Sequence, residues 1–261
     1  MKETDRSYGL EAKSEISGIR HTAMGQTLVK RGVAAEHFVL VIINGVPAMR
    51  LVCSPTDLTE MVIGRLYTEG IITSLEEVLH ISVCESGREV RVQLDKLPER
   101  RVGEFVDTVG SCCSGNHLLT DAFTDERLPE KLPKAQFEED WIFSLAKRFE
   151  EEPSELFLET HSVHSCYLAR QGELLYNCVD IGRHNAMDKV IGCALRDGIL
   201  LSECMLFSSG RLPTDMVAKA IRAGIPVLCS KTNCTDKGAE LARKFNLTLI
   251  VYAGSKGFIV V

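Results

Sequence analysis

Three polar segments of the sequence, each carrying a cation, contain the residue types that bind phosphate. The segments are 180–185 (DIGRHN), 208–211 (SSGR) and 230–236 (SKTNCTD). Each follows an apolar stretch typical of a buried strand and precedes a helical pattern, which places Arg183, Arg211 or Lys231 beside a helix N-terminus. Helix N-termini present unpaired N–H groups and partial positive charge, and both stabilise a phosphate. The segments predict a nucleotide or another phosphorylated ligand, with helix capping and turn closure as the alternative.

The adjacent residues Cys112 and Cys113 are the candidate nucleophiles. They lie in the stretch 110–115 (GSCCSG), whose small and polar residues predict an exposed loop. A thiolate accepts a sulfur atom only when it is ionised and accessible, and His117 is close enough in sequence to assist. A sulfur carrier needs such a thiol and no buried acid–base pair. The alternative is an exposed pair of thiols without function. A disulfide between these neighbouring cysteines is disfavoured, because it would need a strained ring.

A further cluster contains His161, His164 and Cys166. These residues could ligate a metal or act as acid–base groups, but loop histidines held by hydrogen bonds are the simpler interpretation. The sequence has no second ligand cluster and no Cys-x-x-Cys, so no metal site is predicted and zinc-dependent deamination is unsupported.

The elements that position these loops alternate between strand and helix in the second half of the chain. Predicted strands are 165–170, 174–181, 205–208, 226–230, 247–252 and 258–261, and predicted helices are 141–150, one beginning near 184, 214–223 and 235–245. This alternation predicts a largely parallel sheet with helices on both faces, whose ligands bind at the strand-to-helix loops.

The first half of the chain is predicted to form a smaller α+β unit. Asn44-Gly45 between two apolar runs predicts a hairpin. Ser54 as N-cap and Pro55 at the first helical position predict a helix that runs to about Glu69. We expect an N-terminal arm over residues 1–30, a small α+β domain over 31–120 that ends in the double-cysteine loop, and an α/β domain over 121–261.

Composition limits the partners and the compartment. The chain of 261 residues has a formal charge of −6, which disfavours nucleic acid as a ligand. No apolar run approaches the roughly 20 residues that cross a bilayer, so no membrane association is expected. The absence of a signal-peptide pattern predicts a cytoplasmic protein. Its ten cysteines are then expected to be reduced, and those in apolar runs, Cys53, Cys193 and Cys229, to be buried.

The combination of motifs resembles the formate dehydrogenase accessory sulfurtransferase family, FdhD/NarQ. The segment 180–189 (DIGRHNAMDK) carries the most specific match. Further matches are 54–58 (SPTDL), 69–72 (EGII), 160–164 (THSVH), 209–211 (SGR), Lys219, 223–226 (AGIP) and 235–242.

The resemblance implies a sulfur carrier required for formate dehydrogenase activity. Members take sulfur from a cysteine desulfurase as a cysteine persulfide. They pass it to the molybdenum or tungsten bis-pterin guanine dinucleotide cofactor before that cofactor enters formate dehydrogenase. The family fold is a cytidine-deaminase-like mixed α/β sheet with helices on both faces plus a smaller α+β domain, and its members form homodimers. The alternative is a non-catalytic chaperone that binds the cofactor without moving sulfur.

The resemblance also assigns site residues. Members usually show Cys-Gly-x-Cys-Gly where this chain has GSCCSG. We expect Cys112 to carry the persulfide, with Cys113 as the alternate or resolving thiol. The candidate cofactor contacts, for which GDP would serve as a mimic, are Arg183, His184, Asn185, Ser209, Arg211, Lys231, Tyr252, Ala253, Gly254, Ser255, Lys256 and Gly257.

Overall fold

The computed structural model describes residues 9–96, the backbone of 107–109, and residues 131–261. The strands are β1 (Lys13–Thr22), β2 (Gly25–Ala34), β3 (His37–Ile43), β4 (Val46–Cys53), β5 (Val78–Val83), β6 (Glu89–Leu94), β7 (Asp107–Val109), β8 (His164–Arg170), β9 (Glu173–Asp180), β10 (Cys204–Ser208), β11 (Val227–Ser230), β12 (Thr248–Gly254) and β13 (Gly257–Val260). The helices are α1 (Leu58–Thr68), α2 (Glu139–Glu151), α3 (Glu155–Thr160), α4 (Arg183–Arg196), α5 (Thr214–Arg222) and α6 (Asp236–Lys244). The elements predicted in the second half of the chain are all present, and α3 is a further helix that was not predicted.

A six-stranded sheet in the order β13-β12-β11-β10-β8-β9 forms the larger layer. Strands β10, β11 and β12 are parallel, whereas β8, β9 and β13 are joined to their neighbours in antiparallel fashion. The sheet is therefore mixed, as the family resemblance implies, and the largely parallel sheet expected from the alternation of strands and helices is wrong. The physical reason lies in two short connections, at Gln171-Gly172 and at Ser255-Lys256, because a tight turn can join only antiparallel strands.

Helices cover both faces of this sheet, as predicted. One face packs its leucines against α4, α5 and α6, whose buried side chains form the largest apolar cluster. The other face packs Phe207 and Ile250 against Ile142 and Leu145 of α2. Alternation along each strand sends neighbouring side chains to opposite layers, so the sheet has two cores.

A five-stranded sheet in the order β5-β6-β3-β4-β7 forms the smaller layer together with α1. The hairpin predicted at Asn44-Gly45 is confirmed, with φ values of 48° and 83° at these two residues. Ser54 is not the N-cap of α1, because Asp57 occupies that position. The Ser54 hydroxyl instead accepts the backbone N–H of Ile181 at 3.2 Å, so the residue joins the two layers.

Helices α1 and α4 cross at two glycines and hold the two layers together. A Cβ at Gly64 would overlap the backbone carbonyl of Asp188, and one at Gly192 would overlap that of Glu60. Close backbone approach of this kind requires glycine at both positions. The α1–α4 crossing therefore fixes α4, whose first turn carries Arg183 and His184, relative to the smaller sheet.

Fully buried charges lie beside this crossing. Lys219 Nζ lies 2.8 Å from Asp188 Oδ1 and donates to Thr68 Oγ1 at 2.7 Å. Arg65 pairs with Glu69 at 3.2 Å. Burial lowers the pKa of Lys219, although the Asp188 carboxylate acts in the opposite direction. Because an unpaired charge at such a position is very costly, these pairs fix the relative placement of α1, α4 and α5.

The described part of the N-terminal region contains a regular β-hairpin. Strands β1 and β2 form an antiparallel hairpin that crosses the predicted boundary at residue 30, and within the described residues they pair only with each other. All of β1 is exposed. A strand exposed on both faces needs no alternation of apolar and polar residues, so the sequence carries no period that would predict β1.

No helix in the described parts of the chain has the length and apolar character needed to cross a bilayer.

Candidate functional site

The loops that follow β9, β10 and β11 meet at one edge of the larger sheet. The N–H of Ser209 donates to Ser165 O at 3.0 Å, and the N–H of Lys231 donates to Ser208 O at 3.1 Å. The Ser230 hydroxyl donates to Gly210 O at 2.8 Å. These bonds link the loops after β10 and β11 to the start of β8, and Arg183 from the loop after β9 packs against Gly210, so the three segments lie together.

A cavity of about 530 Å³ opens beside these loops. Its apolar wall consists of Phe149, Pro153, Phe157, Val163, Tyr167 and Ile181, and its polar wall of Glu150, His161, Ser162, His164, Ser165, Ser209 and Lys231. The volume and the mixture of aromatic and polar side chains are typical of a site for a small organic ligand. Of the residues predicted to contact the cofactor, Ser209 and Lys231 line this cavity.

His164 and Ser209 form a hydrogen-bonded pair in the cavity wall. His164 Nδ1 lies 3.0 Å from Ser209 Oγ, which also accepts the N–H of Ser165 at 3.1 Å. Burial and the nearby Arg183 charge lower the pKa of His164. The imidazole is therefore neutral near pH 7 and offers hydrogen bonds to a ligand rather than positive charge.

The cluster His161, His164 and Cys166 is not assembled as a metal site. Both histidines line the cavity, whereas the Cys166 side chain is buried in the apolar core. Across the described residues, no group of three or more histidine, cysteine or acidic side chains is placed to hold a metal ion.

The predicted contacts at the start of α4 bond to other parts of the protein. The Asn185 amide donates to Val52 O and to Asp180 Oδ1, both at 2.9 Å. His184 Nε2 lies 2.7 Å from Asp215 Oδ2. Burial lowers the pKa of His184, although the bond to Asp215 opposes this shift. These residues organise the loop, and their contact with a cofactor stays a prediction.

Arg183 and Arg211 lie in the same loops but do not line the cavity. The Arg183 side chain is 6% exposed and packs so closely over Gly210 that a Cβ there would lie 2.8 Å from Arg183 Cδ. Burial is the main cause of the lowered pKa values of His164 and His184, and the Arg183 charge lowers both further. Arg183 therefore supplies positive potential behind the cavity wall.

Asp180 and Lys189, which belong to the most specific sequence motif, form a buried ion pair of 2.7 Å. Lys189 Nζ also donates to Thr56 Oγ1 at 3.0 Å, and the Asp180 carboxylate accepts the N–H of Ser54 at 2.9 Å. Burial works to lower the pKa of Lys189, but the Asp180 carboxylate raises it above the usual value. The motif thus ties the 180–185 loop to the turn before α1, a function that its sequence alone did not reveal.

The segment 252–257 comprises the end of β12, the turn at Ser255-Lys256 and the start of β13, and it contacts Glu150 of the cavity wall without lining the cavity itself. The Ser255 hydroxyl donates to Glu150 Oε2 at 2.7 Å. This bond, and then the Lys231 and Lys256 charges, lower the pKa of Glu150. Ala253 is buried in the core and Tyr252 is half-exposed. Sequence reasoning missed Glu150, because a glutamate in an amphipathic helix gives no signal of a distant partner.

Cys112 and Cys113 lie outside the described residues. The nearest described strand before them is β7, which pairs with β4. Among the described cysteines, Cys53, Cys193 and Cys229 are buried, as predicted, and burial raises the pKa of Cys53 and Cys229. Most described thiols are therefore poor nucleophiles, since the thiolate is the reactive form.

These features define a mixed α/β protein with a loop-built ligand cavity at one edge of its main sheet. The sequence profile of the FdhD/NarQ family matches residues 34–261, and the chain belongs to this family.

Individual relatives cover nearly the whole chain. Sulfur carrier protein FdhD of Bacillus pumilus (strain SAFR-032) is 34% identical over 239 residues, which cover 90% of each sequence. The protein of the same name from Bacillus subtilis (strain 168) is 30% identical over 236 residues, or 88% of each. A crystal structure from Desulfotalea psychrophila, described as a formate dehydrogenase accessory protein, superposes with a TM-score of 0.76 at 26% identity over 96% of both chains.

Proposed function

We propose that this protein is a sulfur carrier that supports the maturation of formate dehydrogenase. The observation that carries the proposal is the family match over residues 34–261. The names of the relatives from Bacillus, and the description of the Desulfotalea psychrophila protein, point to the same role. The cytoplasm is the compartment in which we expect the protein to act.

The first step of the proposed reaction is a transfer of sulfane sulfur between two thiols. A cysteine desulfurase presents a persulfide, and the thiolate of Cys112, or alternatively Cys113, attacks its outer sulfur. A new S–S bond forms on this protein while the desulfurase cysteine leaves as a thiolate. The exchange needs no external oxidant or reductant, because one S–S bond replaces another.

The proposed acceptor is the molybdenum or tungsten bis-pterin guanine dinucleotide cofactor. The cavity suits one flat, anionic part of this large substrate, such as a pterin or a guanine nucleotide. Phe149 and Tyr167 offer aromatic surface to a fused ring, and Lys231 and the Arg183 potential favour phosphate. The Glu150 carboxylate and the His164 imidazole offer hydrogen bonds to ring N–H and carbonyl groups.

The fold of the larger layer also agrees with the proposal. A mixed sheet covered by helices on both faces is compatible with the cytidine-deaminase-like architecture that the family resemblance implies. In such an architecture a ligand binds at the strand-to-helix loops, and the cavity of this protein opens beside those loops.

Intact-mass spectrometry after incubation with a desulfurase and cysteine tests the proposal. We expect the wild-type protein to gain the mass of one sulfur atom, reversibly with dithiothreitol, and the Cys112→Ala/Cys113→Ala variant to gain none. The matched control is Cys84→Ala/Cys234→Ala, which removes two partly exposed thiols and should load normally. Equal loading of wild type and the 112/113 variant would overturn the assignment of the thiols. An unmodified wild-type protein would favour a cofactor-binding chaperone.

A further inference from the structure

The smaller sheet has an apolar stripe on the face that points away from α1. Side chains alternate along β3, and those that pack towards α1 are Val39, Val41 and Ile43. The side chains between them point to the outer face and are Phe38, Leu40 and Ile42. Phe38 is 60% exposed, and none of these three belongs to an apolar cluster of the described residues. A contiguous exposed apolar stripe marks a surface that contacts another molecule.

Arginines flank this stripe on both neighbouring strands. The register places Arg50 of β4 opposite Leu40 and Arg91 of β6 opposite Ile42, so both arginines lie on the outer face, where they are exposed. Arg91 pairs with Glu89 of the same face at 2.9 Å, so positive charge is in excess among these side chains. We call the surface formed by Phe38, Leu40, Ile42, Arg50 and Arg91 the outer patch. It suits a partner surface that combines apolar side chains with carboxylates.

The outer patch lies beside the thiols of the proposed sulfur transfer. Strand β7 pairs with β4 and places Val109 opposite Leu51. Cys112 follows Val109 by three residues, which span at most about 11 Å in any conformation. Strands are about 4.8 Å apart, so β7 lies about 10 Å from β3. A donor that reaches Cys112 must therefore approach the β4–β7 edge of the smaller sheet, where α1 covers the inner face and the outer face is open.

We propose that the sulfur donor docks on the outer patch through a segment that carries acidic and apolar side chains. The proposal rests on the sulfur-carrier function and gives it a recognition surface for the cysteine desulfurase. The apolar stripe supplies the area that becomes buried, and the arginines steer the approach of the acidic segment. Nucleic acid and anionic membranes suit the patch less well, because the net charge of −6 on the chain repels them.

Two sulfur donors of different size separate docking from the chemistry of the thiols. The desulfurase needs the outer patch, whereas glutathione persulfide is too small to use it. In loading assays followed by intact-mass spectrometry, we expect Arg50→Glu/Arg91→Glu to raise the half-saturating concentration of this protein for the desulfurase about tenfold or more. Loading by glutathione persulfide should change less than about twofold. The matched control is Arg243→Glu/Lys244→Glu, an equal charge change at exposed positions of α6, which should stay within about threefold of wild type with both donors.

A substitution in the apolar stripe tests the patch without a change of charge. Phe38→Ser should raise the half-saturating concentration for the desulfurase about tenfold or more, because a central aromatic side chain contributes strongly to an interface. Leu200→Ser is the matched control, since Leu200 is 62% exposed and lies before β10 in the larger layer. It should stay within about threefold of wild type. Circular dichroism checks that both variants are folded.

The outcomes distinguish the docking surface from the function on which it rests. Normal desulfurase loading of the patch variants would overturn the docking surface and leave the sulfur-carrier function standing, and an equal loss with both donors would also overturn it. A wild-type protein that neither donor loads would overturn both. If Phe38→Ser lost stability in urea, or weakened self-association in sedimentation equilibrium, with loading unchanged, the patch would contact this chain or a second copy instead of the donor.

Discussion

The crossing of α1 and α4 gives a prediction in which two physical effects have opposite signs. Gly64 lies in the interior of α1, where alanine is favoured over glycine by about 1 kcal/mol from helix propensity alone. A Cβ at this position would, however, overlap the backbone carbonyl of Asp188, which no side-chain rotation can relieve. The helices would have to move apart by about the excess overlap, and overpacking of this kind costs about 3 kcal/mol or more.

We therefore expect Gly64→Ala to lower the free energy of unfolding by about 2 kcal/mol or more. For a chain of this size that corresponds to a fall in melting temperature of roughly 4–8 °C. Chemical denaturation with urea, followed by circular dichroism, measures the difference. Gly192→Ala should have a similar effect, and the double variant should cost less than the sum, because both substitutions separate the same two helices.

The matched control is Gly18→Ala, because a Cβ there meets no atom within 4 Å and the backbone conformation is ordinary. We expect no loss of stability from it. If Gly64→Ala were as stable as the wild-type protein, or more stable, helix propensity would dominate and the close crossing of α1 and α4 would be refuted.

Three further predictions concern the buried charges and the cavity. Lys219→Met should reduce the free energy of unfolding by about 3–5 kcal/mol in urea denaturation because the buried carboxylates of Glu69 and Asp188 then share the single charge of Arg65, whereas the exposed Lys237→Met should have little effect. The lowered pKa of His164 means that, below pH of about 6.5, the unfolded chain binds a proton that the folded protein resists, so acid removes stability. His164→Gln should therefore lose less stability than wild type between about pH 7.5 and 5.5, and an equal loss in both proteins would contradict this origin. Lys231→Met should weaken GDP binding about tenfold and reduce its salt dependence in calorimetry, and binding equal to that of Lys237→Met would remove Lys231 from the site.

Local signals in the sequence were sufficient for most elements of the larger layer. The hairpin at Asn44-Gly45 and the strands that end at Ser208 and Ser230 depend on short-range preferences, and all are present. The loops after β10 and β11 lie together because the carboxyl ends of neighbouring parallel strands meet at one edge of a sheet, and the N–H of Lys231 donates to Ser208 O.

Long-range partners could not be predicted in the same way. Serine is a common N-cap residue, but the Ser54 hydroxyl instead accepts a hydrogen bond from the backbone N–H of Ile181, 127 residues away in sequence. Arg183, His184 and Asn185 are consecutive, yet a helix turns about 100° per residue, so their side chains reach different neighbours. Three residues that are adjacent in sequence therefore need not contact the same ligand.

The cavity wall also contains residues whose role could not be predicted from the sequence. Glu150 and Phe149 come from α2, which the sequence identified only as a short helix, and their role depends on where α2 packs on the sheet. The alternation of strands and helices alone did not predict the mixed sheet, because strand periodicity does not record strand direction, whereas the family resemblance did.

The most direct test of the sulfur-carrier account follows ³⁵S from cysteine to formate dehydrogenase in a mixture of desulfurase, this protein, cofactor and apoenzyme. The account predicts that label first appears on the peptide containing Cys112 and Cys113, then leaves it and is recovered with the cofactor in active formate dehydrogenase. Active enzyme formed with this protein present, but with no ³⁵S passing through that peptide, would contradict the account and leave cofactor binding as the function.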